Sequence, residues 1–400
     1  MNPTVSVPEP SPEARADKAF VRRLNLTQFR NHARLDIEAD AGPVCLFGPN
    51  GAGKTNILEA LSLLGPGRGL RGADLDEMAR QGEDGGLFAV AGLFQLGSES
   101  RRIGVGLERT AQGQRRVARI DGKDAGPKDL AETVRLLWLT PAYDRLFAGP
   151  AGERRRFLDR LVFAIAPEHG QQAALYDKAM RERTRLLEEP NPDQRWLSLV
   201  EAEAAAAAIA LGQARLEAVD ALQSEISQRP DGAFPKAGLA LEGWFESSLR
   251  QAQNAASAEA DFIRHLHDCR PRDRAAGRAL DGPHRCDLTA IHTPSGMPAQ
   301  KCSTGEQKAL VVTLILAQAR RIASGLSTAK STGVPGPNPL VLLDEAAAHF
   351  DPSRRAALCE ELLALPGQAW LTGTDRNLFE DFGSRASLFD VSPGQVRAVQ

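Results

Sequence analysis

Gly48-Pro49-Asn50-Gly51-Ala52-Gly53-Lys54-Thr55 is the stretch that decides the fold. It fits the pattern G-x-x-x-x-G-K-[ST] in full. Before it stands the apolar run Pro43-Val44-Cys45-Leu46-Phe47, which reads as a buried strand. After it, Ile57, Leu58, Leu61 and Leu64 recur at helical spacing, so 56–64 reads as an amphipathic helix. Glycines let backbone N–H groups turn inward around phosphate oxygens, and the helix points its positive end at the same anion. In such a loop Lys54 reaches the β- and γ-phosphates of ATP, and the Thr55 hydroxyl binds Mg²⁺. Asn56, in the first helical turn, joins the same candidate site.

Two later segments complete the pattern. Pro339-Leu340-Val341-Leu342-Leu343 reads as a buried strand ending in Asp344-Glu345. In a Walker B arrangement the first carboxylate holds Mg²⁺ and the second acts as general base on the attacking water, which casts Lys54 and Glu345 as the catalytic pair. Asp351 follows shortly and reads equally as part of a functional loop or as a plain helix cap before Pro352. Ser303-Thr304-Gly305-Glu306-Gln307 opens an apolar helix. Ser303, Gly305 and Gln307 offer a hydroxyl, backbone N–H groups and a positive helix end, which are γ-phosphate ligands. Ser303 with Glu306 three residues on is also an ordinary capping box.

The rest of the chain sorts by periodicity. Residues 1–18, with four prolines and no pattern, read as a tail. Residues 19–127 are strand-rich and form one half of an α/β domain. Residues 128–275 read as a mostly helical insertion, clearest from Glu201 to Arg229 and stopped by Pro230-Asp231-Gly232. Residues 276–400 supply the second half.

The formal net charge of the 400-residue chain is −2, which excludes an all-over basic coat. A hydrophobic share of 42% excludes an acidic disordered chain. Five scattered cysteines without a C-x-x-C pair argue against disulfides and structural zinc. The most apolar run, Ala309 to Ala319, falls short of the roughly 20 residues that span a bilayer, and no signal peptide opens the chain. The expectation is therefore a cytoplasmic protein without a membrane partner. Basic charge is local instead. Residues 101–119 hold six arginines, among them Arg101, Arg102, Arg115 and Arg116, against one acid. Arg154, Arg155 and Arg156 form a second cluster. These are candidate contacts to DNA phosphates, or else solvated faces and internal ion pairs.

Phosphate loop, Ser-x-Gly-x-Gln and Asp-Glu, in that order, resemble an ABC-type ATPase head. Further motifs resemble the RecF family: Phe29-Arg30-Asn31, Gly67-Arg68-Gly69-Leu70-Arg71, Thr140-Pro141, Arg154-Arg155-Arg156-Phe157-Leu158-Asp159 and Gly282-Pro283-His284-Arg285-Cys286-Asp287. The resemblance covers residues 20–400. It implies an α/β P-loop ATPase head of the ABC/SMC type with an inserted, mostly helical second lobe and no coiled-coil arm. It also implies a homodimer closed on ATP, with Lys54 of one copy facing Ser303 and Gly305 of the other, and slow ATP hydrolysis. The implied partners are single-stranded, gapped and duplex DNA, with RecR and RecO, in recombinase loading and the SOS response. Arg30 and Asn31 would contact the nucleotide or close a turn. Cys286 departs from the small or acidic residue frequent in the family. Trp370-Leu371-Thr372-Gly373-Thr374-Asp375 lacks the switch histidine of a transporter ATPase, which leaves that role to Thr374 or to no residue. Gln81 and Gln95 are the candidates for a Q-loop residue. A transporter ATPase subunit and a non-hydrolysing ATP-gated scaffold are the alternatives.

Overall fold

The computed structural model describes residues 19–80, 86–110, 113–325 and 338–399. The chain forms two compact units. One takes the residues up to Pro141 and those from Ala319 onward; the other is Ala142–Gln318.

Alternating polar and apolar residues build an antiparallel sheet in the first unit. Its strands are β1 (Ala19–Phe29), β2 (His32–Glu38), β4 (Ala89–Leu96), β5 (Glu99–Thr110), β6 (Gly113–Ile120) and β7 (Lys123–Asp124), in the order β2-β1-β4-β5-β6-β7. A second sheet collects β3 (Val44–Phe47), β8 (Arg135–Leu139), β12 (Pro339–Leu343), β13 (Ala369–Gly373), β14 (Ser387–Ser392) and β15 (Gln395–Val399). Its order is β15-β14-β3-β13-β12-β8, parallel throughout except for the β14–β15 hairpin. All five residues of β12 are buried, as expected of a parallel strand covered on both faces.

Helix α1 (Lys54–Leu63) follows the phosphate loop. Ile57, Leu58 and Leu61 share one core with Leu24 and Phe94 of the antiparallel sheet and with Leu342 and Trp370 of the parallel one. Glu59 and Ser62 are buried too, so α1 is covered all round rather than amphipathic. A helix with sheet on two sides keeps no solvent face. The unit also holds α2 (Leu75–Met78), α3 (Pro127–Thr133) and α11 (Pro352–Leu363).

The second unit carries α4 (Ala151–Phe163), α5 (His169–Glu188), α6 (Gln194–Gln228), α7 (Trp244–Gln251), α8 (Ala255–Asp268), α9 (Arg270–Ala276) and most of α10 (Thr304–Ala323). A small antiparallel sheet, β11-β10-β9, is built from β9 (Ala237–Glu242), β10 (Asp287–His292) and β11 (Met297–Pro298). Helix α6 is long and apolar enough to span a membrane by composition alone. Its Leu197, Ala204, Ala205, Ala208 and Leu211 instead pack in the unit's core with Tyr176, Met180, Phe262 and Leu266. Two ionic clusters lie inside this unit. Arg183, fully buried, bonds Glu201, Asp273 and the Leu266 carbonyl. Arg215 makes a two-pronged pair with Asp159, which also takes a hydrogen bond from His169.

The structure corrects the expected boundaries. The second unit runs from 142 to 318, not 128 to 275. Arg135-Leu136-Leu137-Trp138-Leu139, expected within a helical stretch, is strand β8 at the edge of the parallel sheet. Five residues are too few to reveal a period, and their burial beside β12 decides for strand. The Ser303–Gln307 segment belongs to the second unit, not to the ATPase half.

Burial pushes the Asp159 carboxyl up, but the bonds from His169 and Arg215 outweigh it and hold it at about 2. An acid with a depressed pKa adds stability at pH values above its unfolded pKa of about 3.9, and that stability fades as pH falls toward 2. Acid unfolding of the protein should therefore steepen between about pH 4 and 2. Asp159→Asn should flatten that limb while lowering stability at pH 7, as read by circular dichroism. An unchanged acid limb would contradict the pairing.

Candidate nucleotide site

Strand β13 lies between β3 and β12, all three parallel, so the loop after β3 and the carboxylates after β12 flank the end of β13. That end carries Thr372. Its hydroxyl donates to Asp344 Oδ1 at 2.7 Å and accepts the Glu345 amide at 2.9 Å. The Thr55 hydroxyl, in the first turn of α1, donates to the same carboxylate at 2.9 and 3.1 Å. Three segments far apart in sequence thus converge on Asp344.

The loop follows from its glycines. Gly48 has φ +147°, and a Cβ there would stand 2.1 Å from the Val391 carbonyl oxygen. Gly53 has φ +110°, and a Cβ would strike the side chains of Asn31 and His32. At Gly51 nothing lies within 4 Å of an added Cβ, so the rim beside exposed Pro49 and Asn50 stays open. Ala52 is buried and closes the turn with its amide on the Pro49 carbonyl. The first N–H groups of α1 have no intrahelical partner and face this loop. Lys54 lies across it, its Nζ donating to the carbonyls of Gly48 (2.7 Å) and Pro49 (2.9 Å). Burial lowers the Lys54 pKa, and Glu345 and Asp344 partly restore it. Glu345 has φ +51°, a left-handed conformation uncommon for a side-chain-bearing residue, and stored strain of this kind clusters at functional sites.

Arg30 and Asn31, expected at the nucleotide, brace the loop from the β1–β2 turn. Arg30, at φ +53°, sets Nε and Nη2 on the buried Glu59 carboxylate at 2.9 and 2.7 Å, and Nη1 on the Glu77 carbonyl. Asn31 donates to the Ala52 carbonyl and accepts from Asn56. Arg71 joins them, bonding both Glu59 and Asn56 at 2.9 Å. The sequence reading missed Thr372, Glu59 and Arg71 as parts of this site. Helical spacing places Glu59 opposite Ile57, Leu58, Leu61 and Leu64, on the side a sequence reading leaves to solvent, so nothing in the repeat signals its burial.

In the second unit, Ser303 and Glu306 make the capping box. The Ser303 amide and hydroxyl donate to Glu306 Oε2, and the Glu306 amide returns to Ser303 Oγ. Ser303 is exposed, and at Gly305 an added Cβ would meet nothing within 4 Å. Gln307, expected to face a nucleotide, is buried with its amide on the Cys302 carbonyl, so it supports the turn. Asp351 caps α11, accepting the Arg354 amide at 2.9 Å. Gln95 closes the β4–β5 turn through Gly97 and Ser100, and Gln81 lies outside the described residues. Thr374 is exposed; Thr372, two residues earlier, is the one bound to the acids.

The arginine clusters divide. Arg154 is buried, paired two-pronged with Asp287 at 2.6 and 2.7 Å and bonded to the Phe147 and Gly149 carbonyls. Arg116 binds the Leu63, Gly65 and Gly67 carbonyls after α1. Both are internal braces, which corrects their expected place at DNA. Arg155 bonds the Cys286 carbonyl and is half-buried. Arg101 pairs with Glu99 and Asp121 on the surface. Arg102, Arg115 and Arg156 are exposed.

This fold, with its glycine loop, acidic strand end and serine-capped helix, defines an ATPase head of the ABC/SMC class. The family model for the RecF/RecN/SMC N-terminal domain matches residues 20–394. The DNA replication and repair protein RecF of Caulobacter sp. (strain K31) is 49% identical over 397 residues, covering 96% of this chain and 99% of the relative. RecF of Brucella suis biovar 1 is 46% identical, covering 97% and 98%. A solved structure of the recombination mediator protein RecF with ATP, in the RecFOR pathway, superposes with a TM-score of 0.79 at 20% identity, covering 96% of this chain and 98% of that one. The Smc head domain of Pyrococcus furiosus shares the fold more distantly, with a TM-score of 0.50 at 14% identity over 95% and 96% of the two chains. The chain belongs to the RecF family. Likeness over the whole length to RecF leaves no room for the transporter alternative.

Arg154→Ala would strand Asp287 and should lower stability by about 2–4 kcal/mol, below the full buried-pair value because Asp287 keeps some water. Arg156→Ala, on a 71% exposed side chain, should leave the melting temperature unchanged. Equal effects of the two would contradict this division.

Proposed function

We propose that this chain is an ATP-dependent DNA-binding protein of recombinational repair and replication. It pairs with a second copy on ATP, closes on DNA at single-strand gaps and helps load a recombinase, with RecR and RecO as partners in the SOS response. The observation that carries this reading is the convergence of Thr55, Asp344 and Thr372 beside the phosphate loop. The names of the full-length relatives support the repair role, and the solved relative is described with ATP in the RecFOR pathway.

The Thr55 hydroxyl and Asp344 carboxylate are hard oxygen donors at contact distance, a set that suits Mg²⁺. Bound there, Mg²⁺ would neutralise charge on the β- and γ-phosphates. Lys54, already across the loop, turns its ammonium from the Gly48 and Pro49 carbonyls to phosphate oxygen. Glu345 takes the proton of the attacking water, its backbone aimed by the bond to Thr372. Exposed Ser303 and half-buried Gly305 of a second copy cap the γ-phosphate through hydroxyl and helix N–H groups, and Asp351 lies on the connecting loop. Hydrolysis is slow, and through Glu345 it ends the closed state. Arg101, Arg102, Arg115 and Arg156 track the DNA backbone, and the cytoplasm is the setting.

Glu345→Gln with ATP should move on size exclusion from monomer to a lasting dimer, whereas Lys54→Ala should stay monomeric. ATP should raise the melting temperature of the parent but not of Lys54→Ala. A monomer under all conditions would sink the clamp. DNA affinity should fall with salt, and replacing Arg115 and Arg156 together should lower the log–log slope by about 2. An unchanged slope would remove those two contacts.

A further inference from the structure

Cysteine spacing alone argues against zinc, but it does not see ligands of mixed type. His265 stands in the last turn of α8, and Cys269 caps that helix four residues on, on the same face. Asp281 arrives from the loop after α9. Cys269 Sγ lies 3.4 Å from His265 Nε2, and Asp281 Oδ2 lies 2.9 Å from the same nitrogen. The three donor atoms all fall within 4.8 Å of one another. Ligands about 2.0–2.3 Å from a tetrahedral zinc stand roughly 3.3–3.6 Å apart. His265 and Cys269 are therefore already at coordinating separation, and Asp281, now closer to the imidazole than a shared metal allows, would adjust on binding.

We propose that His265, Cys269 and Asp281 form a binding site for a divalent transition metal of the zinc type, with the fourth position open to water. Nitrogen, thiolate and carboxylate together suit Zn²⁺ and not the oxygen-seeking Mg²⁺ of the nucleotide site. Trp244 stacks on the His265 ring, centroids 3.8 Å apart, and holds its Nε2 toward the other two ligands. All three ligands are half-buried, open enough for a metal to enter. A thiolate and a carboxylate carry two negative charges against the metal's two positive ones. Arg272 pairs with Asp281 through the same Oδ2 that faces His265, so a metal would displace that arginine or leave it the other carboxylate oxygen. Asp273 also faces the cluster, and its negative charge, like burial, disfavours the free Cys269 thiolate. Burial raises the Cys269 thiol above its ordinary value, so binding releases that proton to solvent and tightens as pH rises. The bound metal would fix the end of α8 to the strand-ward loop leading to His284 and Cys286.

The test uses the full, reduced chain without ATP or Mg²⁺, titrated with Co²⁺ and then Zn²⁺. One equivalent of Co²⁺ should give a thiolate-to-cobalt charge-transfer band and quench tryptophan fluorescence; Zn²⁺ should displace it. Trp244→Phe should keep the band and lose most of the quenching. Cys269→Ser should abolish the band and weaken Zn²⁺ about 30-fold or more. Should that variant misfold by circular dichroism, Asp281→Asn decides: Zn²⁺ weakened about 10-fold supports the site, and unchanged affinity overturns it. Absence of a band in the parent, or a band that survives Cys269→Ser, overturns it as well.

Discussion

One carboxylate, held by two threonine hydroxyls, ties the first unit together. Asp344 receives Thr55 from the start of α1 and Thr372 from the end of β13, and so joins three strand ends whose sequence positions span most of the chain. Parallel strands bring their C-terminal ends to one edge, and side chains there need no long reach to meet. The same hydroxyl of Thr372 takes the Glu345 amide, which fixes the left-handed turn at that residue. The backbone at Glu345 thus depends on a hydroxyl from a different strand.

Behind the loop stands a second constraint. Glu59 is a fully buried carboxylate with arginines from two directions, Arg30 and Arg71. A buried charge without partners is strongly disfavoured, so these arginines are compelled to stay. They in turn hold the β1–β2 turn and the segment after α1 against the loop that Asn31 and Asn56 knit together. The loop is rigid from beneath and open only at its rim around Gly51.

The fold was legible where sequence alone constrains the backbone. The glycines at 48 and 53 need left-handed backbone and empty space, and the unbroken apolar run 340–343 suits a strand covered on both faces. What stayed hidden depends on partners distant in sequence. Nothing near Arg154 or Arg116 tells that Asp287 or the carbonyls after α1 will claim them. Local arginine density therefore suggested a basic surface, and tertiary pairing turned part of it inward. Strand β8 was missed for the same reason: its identity lies in β12, not in its own five residues. Thr372 stood among apolar neighbours and gave no sign of its two bonds.

Chain order adds a consequence for biosynthesis. The second unit is continuous in sequence and complete once residue 318 has emerged, so it can fold on the ribosome as an independent body. Strand β3, which precedes the phosphate loop, pairs only with β13 and β14, and both belong to the final stretch of the chain. Until translation ends, its apolar edges are bare and prone to pair with the wrong strand. The nascent nucleotide unit must be shielded through nearly the whole of synthesis, and a prematurely terminated product would carry a finished helical body attached to an unclosed sheet.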